Sequence, residues 1–421
     1  MARKMKDSGI EWIGEIPEGW SIARGKHILT LLQRAVFPTD GVITCFRDGE
    51  VTLRSNRRED GFTVSLKEIG YQGIEPGDLV VHGMDGFAGS IGISDSRGKS
   101  SPVLVVLDSS QDKKYLMYYL RSMAYNNVFL ALSTGIRVRS CDLKWNKLAD
   151  LLYLVPPIVE QHKLVSFLDE KCSEIDAMLS KTRASIEEYK KLKQAVITQA
   201  VTKGVRGKRE MKDSGVEWIG EIPKEWACEK IKYATSISRG LFNHRPRNDE
   251  RYYNGKYPFI QTGDVANATK YIVSYSQTLN ELGKSVSKEF PKGTLTMTIA
   301  ANVGDVAILN FDAYFPDSVV GFIPNKNIRT LYLFYVFSAM KDEFTRTAIK
   351  STQLNLNIDR VKETFIPVTH DSNEQSEIEN YLESKCAEID GLIAKKEQLV
   401  KELESYKKSL IYEVVTGKRE V

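Results

Sequence analysis

The chain has 421 residues, 42% of them hydrophobic and 27% charged, which predicts a globular protein of two or three domains. No stretch approaches the ~18 apolar residues of a membrane span, and the first residues, MARKMKDSGIEW, lack the apolar run of a signal peptide. Five isolated cysteines (45, 141, 172, 228 and 386) form no CxxC pair, which favours a reduced cytoplasm. The net charge of +4 permits nucleic-acid binding without arguing for it.

The chain begins with a segment that it later repeats. Residues 5–20 read MKDSGIEWIGEIPEGW, and residues 211–226 read MKDSGVEWIGEIPKEW. An extended segment held by buried indole rings is the simplest interpretation of the four tryptophans, Trp12, Trp20, Trp218 and Trp226.

Region 1, residues 21–157, mixes short β-type runs with Gly and Pro turns. The run from Val103 to Leu107 predicts a strand, and Tyr115 to Leu132 predicts a helix. A polar loop and a short strand then lead into the next element.

The stretch from Ile158 to Lys203 contains neither Gly nor Pro, and its apolar residues recur with steps that sum to seven. This pattern predicts one long helix with an apolar seam. At ~1.5 Å per residue it would be about 65 Å long, which suits a spacer between domains.

Region 2, residues 227–366, follows the plan of region 1 with different residues. Thr294 to Ile299 predicts a strand, and Leu331 to Ile349 predicts a helix. A second long helix, Asn373 to Thr416, repeats the first without a gap. Lys193 and Asp176, for example, correspond to Lys407 and Asp390. The chain is therefore a tandem duplication.

The junctions suggest a ring that has been cut once. GKRE follows the first helix at residues 207–210, and GKRE followed by Val421 ends the chain after the second helix. Joining the tail to the head would regenerate the central junction. We therefore expect pseudo-twofold symmetry and neighbouring chain ends.

Motifs of catalysis are not recognisable. The glycines from Gly83 to Gly98 fit neither a P-loop nor a GxGxxG turn, and the histidines show no HxxxH pair. The sequence predicts no catalytic residue and no metal site.

Polar and basic residues cluster in both regions. Arg can bond guanine bidentately, Asn and Gln can bond adenine, and Lys, Ser and Thr can hold phosphates. A solvated charged surface is the alternative for any single residue. The candidate DNA contacts are Arg34, Arg54, Arg57, Arg58, Thr134, Arg137, Arg139 and Lys144 in region 1, and Arg239, Asn243, His244, Arg245, Arg247, Asn248, Arg251, Lys350, Gln353 and Asn355 in region 2.

The apolar stripes of the two long helices are predicted to face each other. The candidate seam residues are Leu164, Leu168, Ile175, Leu179, Ile186, Ile378, Leu382, Ile389, Ile393 and Leu403.

The whole chain resembles the specificity subunit of a Type I restriction–modification system. The resemblance rests on DSGIEWIGEIPEGW and its twin DSGVEWIGEIPKEW, on the loop STGIRVRS at 133–140, and on Pro156-Pro157-Ile-Val-Glu160-Gln161 leading into a helix that ends Ala200-Val-Thr-Lys-Gly204. His370 to Gln375 departs from this pattern by replacing the double proline.

The resemblance implies an α+β fold with two α/β target-recognition domains, separated by two long antiparallel helices that form a coiled coil. The expected domains are residues 1–157, the helix 158–204, residues 205–366, and the helix 367–421. Each target-recognition domain would read one half of a bipartite, asymmetric site in double-stranded DNA, and the helices would set the spacer.

The resemblance also implies partners: methyltransferase subunits, typically two, and restriction subunits. S-adenosylmethionine, ATP and Mg would bind to those partners and no cofactor to this chain. Two other functions stay open, a coiled-coil adaptor without a DNA role and a stand-alone DNA-modifying enzyme.

Overall fold

The computed structural model describes residues 3–57, 68–131, 143–300, 302–347, 349–350 and 354–421. It divides into two compact units. Unit 1 comprises Met1–Arg183 together with Gln398–Val421, and unit 2 comprises Ala184–Glu397. Each unit therefore contains one end of each long helix. No helix in the described residues is long and apolar enough to cross a membrane.

In unit 1 the strands and helices alternate with short turns. The strands are β1 Met5–Asp7, β2 Glu15–Pro17, β3 Ser21–Arg24, β4 Leu29–Leu31, β5 Ile43–Cys45, β6 Val51–Leu53, β7 Gln72–Ile74, β8 Leu79–His82, β9 Ile91–Ile93, β10 Gly98–Ser100, β11 Leu104–Ser109 and β12 Leu152–Val155. The helices are α1 Lys113–Tyr125, α2 Val128–Ala131, α3 Trp145–Asp150 and α4 Ile158–Lys203, of which α4 continues into unit 2.

Unit 2 repeats this plan with additional short elements. Its strands are β13 Met211–Asp213, β14 Glu221–Pro223, β15 Ala227–Lys230, β16 Thr235–Arg239, β17 Tyr253–Phe259, β18 Tyr271–Ile272, β19 Gln277–Leu279, β20 Glu289–Phe290, β21 Leu295–Thr298, β22 Val306–Leu309, β23 Ala313–Tyr314, β24 Val319–Pro324, β25 Ile349–Lys350, β26 Leu354–Asn355 and β27 Phe365–Val368. Its helices are α5 Ile231–Ala234, α6 Thr262–Asn267, α7 Glu281–Ser285, α8 Thr330–Ala339, α9 Lys341–Thr347, α10 Ile358–Glu363 and α11 Ser372–Val415, the last of which ends in unit 1.

The central sheets of the two units have the same strand order. Unit 1 has β4-β11-β8-β9, all antiparallel, and unit 2 has β16-β24-β21-β22 with β18 added in parallel at the edge. The flanking pairs also correspond, β1–β2 with β13–β14 and β3–β12 with β15–β27. The duplication predicted from the sequence is thus confirmed at the level of topology.

The helices that follow each central sheet are shorter than predicted. The expected helix from Tyr115 to Leu132 is two helices, α1 and α2, because Asn127 adopts a left-handed φ of 58° that ends the α-helical path. The expected helix from Leu331 to Ile349 is also two, α8 and α9, and Ile349 lies in a strand. Both stretches are thus helical but broken, and the prediction was wrong only for the end of the second stretch, at Ile349.

The repeated hairpins carry the predicted tryptophan anchors, two of them fully buried. Trp20 and Trp226 are each 1% exposed, whereas Trp12 and Trp218 are half-buried. The guanidinium of Arg3 lies 5.5 Å from the Trp20 ring centre, and that of Arg209 lies 5.4 Å from the Trp226 ring centre. Such cation–π contacts strengthen an already apolar anchor.

Each of these arginines also pairs with an acid at the start of a long helix. Arg3 pairs with Glu160 in unit 1, and Arg209 lies 2.6 Å from Glu374 in unit 2. The chain ends meet in unit 1, because the Tyr412 hydroxyl donates to the backbone carbonyl of Trp12 at 3.1 Å. The predicted proximity of the two ends is confirmed there.

A buried glutamine fixes each long helix to its region. The Gln161 side chain accepts from the backbone N–H of Asp112 at 3.0 Å, just before α1. Gln375 accepts in the same way from the N–H of Arg329 at 2.8 Å, just before α8. Each amide also donates to a backbone carbonyl, of Pro156 and Thr369 respectively. Both side chains are thereby satisfied inside the core.

Candidate nucleic-acid interface

The candidate residues of unit 1 that the structure describes line two neighbouring clefts. The first, of about 750 Å³, lies where β5 approaches β8 and is called the β5–β8 cleft; it contains Arg54 and Arg57. The second, of about 570 Å³, contains Arg34 and Lys144. Tyr71 lines both clefts. The fold thus gathers candidates that lie more than a hundred residues apart in the sequence.

Arg54 and Arg57 are held by local contacts at the rim of the β5–β8 cleft. Arg54 donates to the Thr44 hydroxyl at 3.3 Å. Arg57 lies 4.2 Å above the Phe46 ring centre and bonds Asp48 and Glu50 at 2.6 and 3.0 Å. These partners orient the guanidinium groups. A nucleic-acid group that contacts Arg57 would have to share its guanidinium group with Asp48 and Glu50, or displace them.

Arg34 has a strong partner inside unit 1. It pairs with both carboxylate oxygens of Asp78, a buried side chain, and this hydrogen bonding raises the pKa of Arg34. Asp78 also accepts from the backbone N–H of Glu75 at 2.8 Å. The bidentate geometry ties the segment after β4 to the turn before β8.

The polar loop predicted to contact DNA joins α2 to α3. Its candidates Thr134, Arg137 and Arg139 lie outside the described residues, and so does Arg58, in an earlier part of region 1. The loop's exit is described: the backbone N–H of Leu143 donates to the carbonyl of Gly83 at 2.9 Å, at the end of β8. Lys144 then caps α3 and lines the second cleft.

The corresponding loop of unit 2 returns at the same place in the sheet. The N–H of Leu356 donates to the carbonyl of Ile299 at 2.8 Å, just after β21. Lys350 and Asn355 lie on the paired strands β25 and β26, and Gln353 lies outside the described residues. The two units therefore present their polar loops from equivalent strand ends.

Three candidate arginines of unit 2 converge on one acid. Arg239 donates to the Asp317 carbonyl at 2.6 Å, Arg247 pairs with the Asp317 carboxylate, and Arg245 lies 3.5 Å from it. Arg245 and Arg247 are half exposed. Because Arg239 bonds the backbone carbonyl, two of the three cations share the carboxylate. The three arginines with one acid carry excess positive charge, as phosphate binding requires.

Next to it, Asp249 organises a second group of candidates. Arg251 bonds its carboxylate at 2.7 Å, and these hydrogen bonds hold the pKa of Asp249 well below its usual range. His244 bonds the same carboxylate at 3.0 Å and stacks on Tyr252 at 4.0 Å. Asn243 and Asn248 are exposed, and Asn248 lines a cleft of about 230 Å³ with Arg247 and Gln277.

A metal site does not emerge from the part of the chain that the structure describes. No three His, Cys, Asp or Glu side chains there come close enough to hold an ion. His162, for example, is largely exposed and lies 3.6 Å from Asp112.

Comparison with known proteins gives these surfaces a context. Residues 238–402 match the family model of the Type I restriction modification DNA specificity domain. The chain is 23% identical over 431 residues to a protein of Methanocaldococcus jannaschii named as the specificity subunit of type I restriction enzyme MjaX, covering 96% of this chain and 95% of that protein.

Solved structures share the fold. A chain from a study of complex assembly and conformational transition of the type I R-M system superposes with a TM-score of 0.73 at 14% identity, covering 96% of this chain and 99% of that chain. The HsdS subunit from Thermoanaerobacter tengcongensis superposes with a TM-score of 0.50 at 14% identity, covering 96% and 98%.

The chain is thus similar along its length to Type I restriction enzyme specificity subunits, and residues 238–402 match their DNA specificity domain.

The two long helices run antiparallel within each unit. In unit 1, Asp176 pairs with Lys407 and Arg183 pairs with Glu404. In unit 2, Lys193 pairs with Asp390. Eight predicted seam residues are buried and two are half-buried; the buried ones are Leu164, Leu168, Ile175, Leu179, Ile186, Ile378, Leu382 and Ile389, and the half-buried ones are Ile393 and Leu403.

The sequence pattern did not indicate three residues of the β5–β8 cleft: Phe46, Tyr71 and His82. These residues lie far apart in the sequence, so the sequence alone does not indicate that they line one cleft. The only usable signal is His82 at the end of an apolar β run, immediately before the glycine-rich turn.

Proposed function

We propose that this chain is the DNA-recognition subunit of a Type I restriction–modification complex, in which each unit reads one half of a bipartite, asymmetric site. The observation that carries the proposal is a frame repeated twice with different surfaces. Strand order, helix anchoring and the exit point of the polar loop are the same in both units. The residues on that frame differ, as two readers of different half-sites require.

The charge distribution supports contacts of two kinds. Arginines lie along both regions, where they could hold phosphates or bond guanine edges, and exposed Asn243 and Asn248 could bond adenine. The long helices would set the distance between the half-sites and offer a surface to methyltransferase subunits. A restriction subunit would complete the nuclease.

Chemistry is assigned to the partners in this proposal. The methyltransferase subunits would bind S-adenosylmethionine, and the restriction subunits would bind ATP and Mg. This chain would act without a cofactor of its own, as a non-catalytic subunit. Its place would be the cytoplasm, where the unpaired thiols Cys45, Cys172, Cys228 and Cys386 would stay reduced.

An electrophoretic shift assay on the complex of this chain with its methyltransferase subunits tests the proposal. We expect one preferred sequence whose affinity falls steeply with salt. A complex that binds no DNA would favour a coiled-coil adaptor. Turnover by the purified chain alone, given DNA, Mg, ATP and S-adenosylmethionine, would favour a stand-alone enzyme.

A further inference from the structure

The β5–β8 cleft of unit 1 differs from an ordinary charged surface because a buried polar side chain, Ser90, lines it beside the half-buried His82. His82, at the end of β8, and Ser90, just before β9, lie side by side there, since the N–H of His82 donates to the carbonyl of Ser90 at 3.0 Å. Phe46, Arg54 and Tyr71 line the same cleft. Aromatic faces beside fixed polar groups suit a planar, hydrogen-bonding ligand.

The backbone fixes the tautomer of His82. Its Nδ1 accepts from the N–H groups of Met84 and Asp85 at 3.3 and 3.0 Å. A nitrogen that accepts carries no proton, so the proton of the neutral ring lies on Nε2. Burial lowers the pKa of His82 and Arg47 lowers it further, although Asp85 opposes this, so the neutral ring prevails at pH 7.

His82 is therefore a donor without an acceptor. Among the described residues, Nε2 has no hydrogen-bond partner, and the half-buried His82 lines the cleft. A ligand acceptor at this position would form a directed hydrogen bond with Nε2–H in place of solvent.

Ser90 provides a second, independent observation. Its side chain is 1% exposed, and within the described ranges its hydroxyl has no hydrogen-bond partner. Buried hydroxyls are normally satisfied. Two unused polar groups at the floor of one cleft point to a ligand that would satisfy them.

Unit 2 lacks this arrangement at the equivalent position. Thr298 replaces His82, and its hydroxyl already donates to the carbonyl of Asn302. Asp305 replaces Ser90 and pairs with Lys341 at 2.5 Å. Among the described residues, unit 1 thus has two donors without partners where unit 2 has none at the equivalent positions. A base preference that depends on these donors would not be shared by unit 2.

We propose that the β5–β8 cleft binds the acceptor edge of a nucleobase, with His82 Nε2–H as the specificity-determining donor and the Ser90 hydroxyl as its second contact. Guanine, through O6 and N7, and thymine, through O4, present acceptors in the major groove. Arg54 and Arg57 at the rim would hold the adjoining phosphates. This inference rests on the proposed function, because it names what one half-site must contain.

The test uses the complex with methyltransferase subunits and duplexes that carry its mapped recognition site. Each base pair of the half-site assigned to unit 1 is replaced in turn, including by 7-deazaguanine, which lacks N7, and 2-aminopurine, which lacks O6. The variant His82→Asn keeps an acceptor for the turn N–H groups and removes the Nε2 donor. We expect it to lose discrimination at one position of that half-site by about 10- to 100-fold, with the other half-site unchanged.

Two further variants separate recognition from folding. Ser90→Ala removes a hydroxyl with no described partner, so we expect unchanged or higher thermal stability together with weaker discrimination. His82→Gln places a donor near the Nε2 position but loses the acceptor, so we expect lower stability with discrimination partly restored. His27→Asn, at an exposed histidine of unit 1, is the matched control and should change neither.

Unchanged discrimination in both His82→Asn and Ser90→Ala would overturn the pocket while leaving the proposed function intact. If the loss of discrimination paralleled the loss of thermal stability across the variants, His82 would have a structural role, and the proposed base-binding pocket would also be overturned. If the unaltered complex preferred no DNA sequence, the proposed function itself would fail.

Discussion

Lys193 donates to both carboxylate oxygens of Asp390, at 2.7 and 2.6 Å. The duplicated sequence contains this contact a second time, because Lys407 donates to both oxygens of Asp176 at 2.6 and 2.7 Å. Lys193 and Lys407 are equivalent positions of the repeat, and so are Asp390 and Asp176. The same lysine–aspartate contact is therefore made twice. Reciprocal pairing of this kind fixes the register of two antiparallel helices.

Reversing one of these pairs tests that register. We expect Asp390→Lys to destabilise unit 2, because Lys193 would then face a like charge. Adding Lys193→Asp should restore most of the loss, with a coupling of roughly 0.2–1 kcal/mol because the pair is largely exposed. A double-mutant cycle from urea denaturation measures it, and additive effects would contradict a direct contact.

The apolar seam should contribute much more than the ion pairs. Leu168 is fully buried in the core of unit 1, so Leu168→Ala should lower the free energy of unfolding by about 2–5 kcal/mol. Met178→Ala, on the exposed side of the same helix, should change it by less than about 0.5 kcal/mol. If the two substitutions had similar effects on the free energy of unfolding, the apolar seam would have been assigned to the wrong face of the helix.

Acid sensitivity should depend on Glu363. Lys230 and Lys232 bond its carboxylate at 2.7 and 2.5 Å and lower its pKa to about 2. A lowered folded-state pKa stabilises the fold above the unfolded-state pKa, and that contribution is lost as the pH falls toward 2.

Between about pH 4.5 and pH 2, Glu363→Gln should therefore lose less stability than the unaltered chain. Thermal melts across this range measure the difference. Because Glu363 is half exposed, 1 M salt should reduce it. Parallel pH profiles for the two proteins would contradict the role given to the two lysines.

Asp317 should limit how tightly unit 2 holds DNA. Asp317→Asn removes the carboxylate that Arg245 and Arg247 share, so both guanidinium groups become available for phosphates. We expect tighter binding to unrelated DNA, with the slope of log affinity against log salt steeper by about 1. Asp312→Asn, in the same unit, is the control. An unchanged slope would show that these arginines do not face DNA.

Much of the fold could be predicted from the sequence because its pattern is periodic. The first long helix was predicted at its observed bounds, and the second was displaced by one residue at each end. An uninterrupted seven-residue repeat leaves few alternatives. The breaks after α1 and α8 could not be predicted, since Asn127 is compatible with a helix until tertiary packing imposes its positive φ.

The candidate interface was less predictable. Arginine clusters are visible in the sequence, but Asp317, some seventy residues from Arg247, becomes its partner only through folding. The role of His82 depends on the two N–H groups that fix its tautomer, and no sequence pattern reports them.

Exchange of region 1, residues 21–157, for the equivalent region of a known Type I specificity subunit tests the central claim most directly. Methylation of genomic DNA is mapped in cells that carry the complete system, before and after the exchange. We predict a bipartite motif with a fixed gap, of which one half changes while the other half and the gap persist. A change in both halves, or in neither, would contradict the assignment of one half-site to each unit.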